Sequence, residues 1–262
     1  EITRGIYQRV PVLWDENNTD GNPWGIKFMT MFHMSADSGL FRDARRRSEL
    51  ADPVPLYEAK MVHQFDHRWA TYFGDGDDSR DMSDAEKSDA NQTVQSRYWV
   101  ERADVDARLA EKHWDRGWLL GFRDITNATN ERTVISGVVP RSAVGHTMPV
   151  FFLAENKVPL DAHSAAAAAI FAANLSSLPL DYIARVKVGG THLTYGYFKQ
   201  FPVINPSSYS SAALDFIVPR ALQLSFTAND VQSFYADVVL VNHAWDSRTG
   251  TERGQPWRWN PE

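Results

Sequence analysis

From its first residues the chain alternates apolar and polar positions. IYQRVPVLW (6–14) reads as a strand that runs into the turn formers DENNTDGNPWG. IKFMTMFHM (26–34) alternates again, and GLFRDARRRSEL (39–50) reads as a short charged helix. KMVHQFDHRWATYF (60–73) alternates imperfectly, which predicts a strand or hairpin arm, and SRYWVER (96–102) predicts another strand. In DVDARLAEKHW (104–114) the spacing of Val105, Leu109 and Trp114 predicts one helical face, with Asp104 as N-cap.

Three more strands are expected at GWLLGFRDI (117–125), RTVISGVVP (132–140) and PVFFLA (149–154). DAHSAAAAAIFAANLSS (161–177) is the clearest helix, rich in alanine and with Asp161 placed to cap it. Pro179 starts a second helix that should stop at Gly189–Gly190, and FTANDVQSFYADV (226–238) predicts a late third. Strands early and long helices late predict an α+β fold, a mixed or antiparallel sheet with helices packed against it. All 262 residues are read as one domain.

Composition narrows the function classes. The 43 % apolar content and nine tryptophans suffice for a sizeable core, and with no cysteine there is no disulfide framework or thiolate metal site. No apolar run approaches the roughly 20 residues of a membrane span. Glu1 is followed by no signal pattern, so a piece of a longer protein from a reducing compartment is expected. The net charge of −6 is concentrated in GDGDDSRDMSDAEKSD (74–89), which holds seven acids and reads as a solvated, mobile loop. The remainder carries 25 basic and 26 acidic residues, which leaves room for a local basic face such as Arg42 with Arg45–Arg47.

Several stretches resemble active-site motifs in part. His63 and His67 stand four apart, but Gln64 occupies the place of the glutamate that zinc proteases need there. Glu58-Ala-Lys60 resembles half of a restriction-type nuclease site, which opens an alternative: a metal-dependent nuclease using Glu58 and Lys60 with His63 or His67. The glycines of Phe73-Gly-Asp-Gly76 lead into aspartates that would repel phosphate, and Asn22-Pro-Trp-Gly25 reads as a turn. The triplets at Asn17, Asn91, Asn127 and Asn174 have the glycosylation pattern, but nothing else points to secretion. No serine–histidine–acid set has diagnostic spacing.

Longer blocks carry a stronger likeness. IFAANLSSLPLDYIARVKVGGTHLTYGYFKQFPVINP (170–206) resembles the helix–Gly-Gly-Thr–Leu–proline block of DNA target-recognition domains, found in type I restriction specificity subunits and in fused enzymes that methylate adenine. PLYEAKMVHQFDHRWATY (55–72) is similar to a motif of the fused class, whose members include phage-defence methyltransferases. ITNATNERTVISGVVPRSAVGHTMPVF (125–151) and NPWGIKFMTMFHMSADSGLF (22–41) resemble further blocks of that family, as does LQLSFTANDVQSFYADV with PWRWNPE near the end.

The resemblance implies a fold like that of target-recognition domains and a double-stranded DNA partner. It also implies a methyltransferase domain in the same parent chain, holding S-adenosylmethionine. Neither that domain's cofactor loop nor its Asn-Pro-Pro-Tyr/Phe tetrapeptide occurs here, so the fragment is expected to be non-catalytic, with no cofactor of its own and no membrane. The setting implied is the prokaryotic cytoplasm.

Base reading needs side chains with hydrogen-bonding edges on a rigid frame. Gln64, Asp66, His67 and Arg68 supply that repertoire within five residues. Gly189 and Gly190 permit a close backbone approach, flanked by Lys187, Thr191 and His192. Lys60, His63, Arg141 and His146, inside the matched blocks, complete the candidate DNA-contacting set. A second role stays open for HQFDHR: an internal polar network, a phosphate contact, or a dock for the methyltransferase domain. A purely structural docking domain is the remaining alternative.

Overall fold

The computed structural model describes residues 1–153, 164–241 and Pro256. It shows an α+β architecture: two four-stranded sheets, one two-stranded hairpin, and helices gathered in the second half of the chain.

The first sheet forms the centre. It comprises β1 (Lys27–Met29), β7 (Trp118–Phe122), β8 (Ser136–Pro140) and β10 (Val150–Phe152), in the order β1-β10-β7-β8 and all antiparallel. Every residue of β7 and β10 is buried, as in a sheet covered on both faces. The second sheet runs β2 (Arg42–Asp43), β6 (Tyr98–Glu101), β3 (Pro53–Tyr57), β9 (Ala143–Val144); only β3 and β9 pair in parallel. β4 (Ala70–Phe73) and β5 (Asp78–Asp81) make the hairpin.

Two short helices, α1 (Ile2–Tyr7) and α2 (Asp84–Ser88), and the longer α3 (Arg102–Ala110) lie among the strands. α4 (Ser164–Leu175) follows, and Ala165 to Ala169 are all buried although they point to every side of the helix. That is the mark of a helix enclosed by protein, and small side chains let its neighbours come close. It packs against β8 and against α5 (Leu178–Lys187), α7 (Ser211–Ser225) and α8 (Gln232–Val241). The short α6 (Tyr195–Lys199) sets Phe198 among the aromatic rings of the core. Phe171 of α4 joins sheet to helix, its ring 5.2 Å from those of both Trp24 and Phe151. Among the described residues no single helix is long and apolar enough to cross a membrane.

The structure departs from the sequence pattern in instructive places. Of the strand expected at 6–14, the first two residues are helical in α1; only residues 11–14 extend, hydrogen-bonded to Lys199, Phe201 and Val203. The charged stretch 39–50 does not become an α-helix. Arg42 donates to the carbonyls of Gly39 and Phe41, and Arg42 and Arg46 share Glu49, which favours tight turns flanking β2. α3 begins at Arg102, not after Asp104; its N-cap, Glu101, gives its carboxylate to the amides of Ala51 and Asp52. α5 ends at Lys187 with Val188 as cap, and neither Gly189 nor Gly190 adopts the left-handed conformation. The caps expected at Asp161 and the motif tail beyond 241 lie outside the described residues, Pro256 apart.

The acidic stretch 74–89 is ordered into β5 and α2, with Gly74 and Gly76 at φ +60° and +89° forming the hairpin tip. Some of its acids are paired, Asp75 with Arg45 at 2.5 Å and Glu86 with Arg80 at 2.7 Å. Arg80 and the Ser83 amide hold the Glu86 carboxyl down at about 2.

Because Phe171 bridges both layers, Phe171→Ala should leave a cavity that neighbouring alanines cannot close. Urea unfolding should show a loss of about 3–5 kcal/mol. A loss below about 1 kcal/mol would mean that the aromatic cluster is not the joint between helix and sheet.

Candidate nucleic-acid interface

The segment 57–72 leaves β3 at Tyr57 and immediately tightens into a one-turn helix, Ala59–Met61. His63 and Asp66 then exchange two backbone hydrogen bonds, at 2.7 and 3.0 Å, closing a two-residue turn over Gln64 and Phe65. Phe65 has φ +62°, an unusual conformation for a bulky side chain. The turn lies hard against the central sheet: a Cβ on Gly137 of β8 would come within 2.8 Å of Val62 Cγ1, so only glycine admits this approach.

Most of HQFDHR looks inward. Gln64 donates from Nε2 to the Ser176 carbonyl between α4 and α5. Asp66 accepts the Arg68 amide and pairs with Lys87 Nζ at 2.7 Å. The His67 ring is buried, with Nε2 2.7 Å from Asp230 Oδ1. Arg68 is 1 % exposed and spends its two terminal nitrogens on four carbonyls, those of Lys87, Asp89, Gln92 and Thr227, all at 2.8–2.9 Å. His67 and Arg68 therefore cannot meet a DNA base. They tie the acidic segment and the 227–230 turn to the sheet, which corrects their candidacy as readers. Arg141 is likewise spent, on Asp106 and on the carbonyls of Trp114 and Arg116.

Other candidates do reach one edge. Ala59, beside exposed Lys60, donates its amide to Thr147 Oγ1 at 3.4 Å. The Thr147 carbonyl accepts the Asp124 amide, and the Asp124 carboxylate faces exposed His192, 2.9 Å from Nδ1. His146 stacks on His33 with ring centroids 4.8 Å apart. Lys60, His33, His146, Thr147, Asp124 and His192 thus form a linked polar run. Its cation is lightly held: Lys60 Nζ donates to Ser79 Oγ at 3.0 Å and lies over the Tyr72 ring.

His63 sits beside this run, half-buried against the Trp69 ring. Burial first, and then the charge of Arg123, lower its pKa, which favours a neutral ring with one donor and one acceptor. Thr191 and the two glycines are exposed next to His192, whereas Lys187 turns away to Gln200 and the Tyr7 ring. Beside both glycines the space is open, so no packing constraint within the described residues explains them.

His33, Arg123, Asp124 and Thr147 were not singled out in the sequence. An Arg-Asp pair closing the apolar strand at 118–122 was the available signal, since a charge at the end of a fully buried strand marks where it emerges. Glu58, the carboxylate of the nuclease alternative, accepts the Tyr72 hydroxyl at 2.7 Å. Among the described residues no three histidine, aspartate or glutamate side chains gather as a metal-holding group.

The chain matches no known family model and no curated protein.

Two outcomes follow from the inward half of the motif. Arg68→Met should cost about 3–5 kcal/mol in urea unfolding, because four buried carbonyls lose their donor; Arg68→Lys should not restore it. A folded, fully stable Arg68→Met would return this residue to the surface-reading class. The second outcome concerns Asp230. Burial opposes its ionisation, but His67 and Arg68 outweigh that and hold its pKa below the ordinary aspartate value. A lowered carboxylate pKa stabilises the fold above the unfolded value, about 3.9, and that contribution is lost as pH falls through the folded value. Asp230→Asn should therefore flatten the acid limb of a stability–pH profile below about pH 5. An unchanged limb would show that the His67 pair does not govern it.

Proposed function

We propose that this chain is a sequence-specific duplex-DNA recognition domain of an adenine-methylating enzyme of the restriction-modification or phage-defence kind. It is non-catalytic by itself. One observation supports the reading: residues from four of the sequence blocks that carry the resemblance lie in one linked run. His33 comes from the first block, Lys60 from the second, His146 and Thr147 from the third, and His192 from the fourth.

The edge offers the chemistry that base reading requires. Lys60 can contact phosphate or guanine, the histidines and Thr147 donate or accept, and Asp124 can accept from a cytosine amino group. So few free cations predict modest affinity for the fragment alone. The methyltransferase domain of the parent, carrying S-adenosylmethionine, then supplies the other half of the clamp and receives the flipped base. Such an enzyme belongs in the prokaryotic cytoplasm.

A second reading, a domain that only docks to its catalytic partner, is favoured by one feature. Leu178, Tyr182 and Val186 stand four residues apart along α5 and are all exposed, forming an apolar stripe.

Selection from a randomised duplex library at about 50 and 200 mM salt separates the two readings. A short motif should be enriched and survive the higher salt. Lys60→Ala should weaken binding and reduce the salt slope by about 0.9, while His192→Ala should relax preference at one position. Absence of any DNA affinity at the lower salt would leave the docking domain, and cofactor-dependent methyl transfer by the chain alone would overturn the non-catalytic reading.

A further inference from the structure

A cavity of about 500 Å³ opens on another side of the 63–66 turn, between that turn, the β4–β5 hairpin and the end of α7. It has the size of a small-molecule site and, like most such sites, largely apolar walls. Phe65, Trp69, Met82 and Leu224 make those walls. Phe65 is there by virtue of its left-handed backbone, and strained residues of this kind collect at ligand sites.

The charges bordering the cavity are unequal in a way that selects a ligand. Both cations are committed: Arg68 to its four carbonyls, and Lys87 to Asp66 and the Trp69 ring. Two carboxylates are not. Asp81 and Asp84 carry no side-chain hydrogen bond or ion pair among the described residues, and Arg123 lies within electrostatic reach of Asp81. An anion entering here meets no free positive group, whereas a cation meets two unspent negative ones.

We propose that this cavity is a binding site for a small organic ammonium carried on an apolar, preferably aromatic, body. The ammonium takes the Asp81–Asp84 side, and the body lies against Phe65, Met82 and Leu224. The site is independent of the DNA-reading edge, so it stands or falls without that assignment. Ligand binding here would brace the turn, the hairpin and α7 against one another.

Calorimetric titration of the chain with phenethylamine, and with 3-phenylpropionate as the anion of matching shape, tests this. The amine should bind and the carboxylate should not. Asp81→Asn/Asp84→Asn should weaken the amine about tenfold, two surface ion pairs' worth, and Leu224→Trp should fill the mouth and abolish binding. These side chains lie at the surface, so the variants should unfold at the urea midpoint of the parent chain. Equal binding of both probes, no binding of the amine, or amine binding untouched in both variants would overturn the proposal.

Discussion

A guanidinium cannot shed its charge on burial, so wherever one is enclosed its surroundings must supply acceptors. Arg68 imposes that demand here. Its four carbonyl partners come from the end of α2, from the loop after it and from the turn that follows α7. The last of these segments has apolar anchors of its own, Phe226 and Val231. With the guanidinium in position they are tied to the 63–69 segment, which is itself pinned to the sheet by the close approach of Val62 to Gly137. The buried His67–Asp230 pair fastens the same turn a second time. An acid-rich stretch that repels itself is thereby folded into a strand and a helix.

That arrangement also orders the candidate interface. Lys60 rests on Ser79 and Tyr72, and Tyr72 in turn is fixed by Glu58 and by the backbone of Gln95. Burial first, and then the Glu58 carboxylate beside it, raise the Tyr72 pKa, so the phenol stays a donor and Glu58 stays occupied. Lys60, the cation of the run, therefore lies over a buried, fixed tyrosine. On the far side, Asp181 of α5 is buried and accepts the amides of Thr133 and Val134, while Arg185 binds the carbonyls of Ala128, Asn130 and Glu131. The loop that follows Asp124 and Ile125, the partners of His192, is thus held by one helix.

Much of the fold was legible where periodicity and burial agree. β6, β7, β8, β10, α4 and α5 arise at the positions that their apolar patterns predict, because packing on a sheet or inside a helical layer rewards those patterns alone. What was not legible depended on side chains choosing the backbone as partner. Arg42 and Glu49 convert a helical charge pattern into turns, and Glu101 moves the start of α3. β3, with Pro53 and Pro55, does not read as a strand, yet it pairs with both β6 and β9. α7 carries Pro219 within fifteen helical residues and was missed on the same ground.

The candidate site divides along a physical line that composition cannot draw. Histidine, aspartate, arginine and glutamine present the same hydrogen-bonding edges whether they face a base or a neighbouring loop. In HQFDHR the richest cluster of such edges is turned inward, where every unmet donor is costly. The sparser residues Lys60, Thr191 and His192 stay at the surface, Lys60 on Ser79 and the Tyr72 ring and His192 on Asp124. A surface that must distinguish sequences needs a frame that does not yield when contacts change. A frame made of buried charge and backbone carbonyls is stiff but consumes the residue types that recognition uses. In a recognition domain of the proposed kind, the density of polar motif residues would mark the frame, and the readers would be those that the frame leaves unspent.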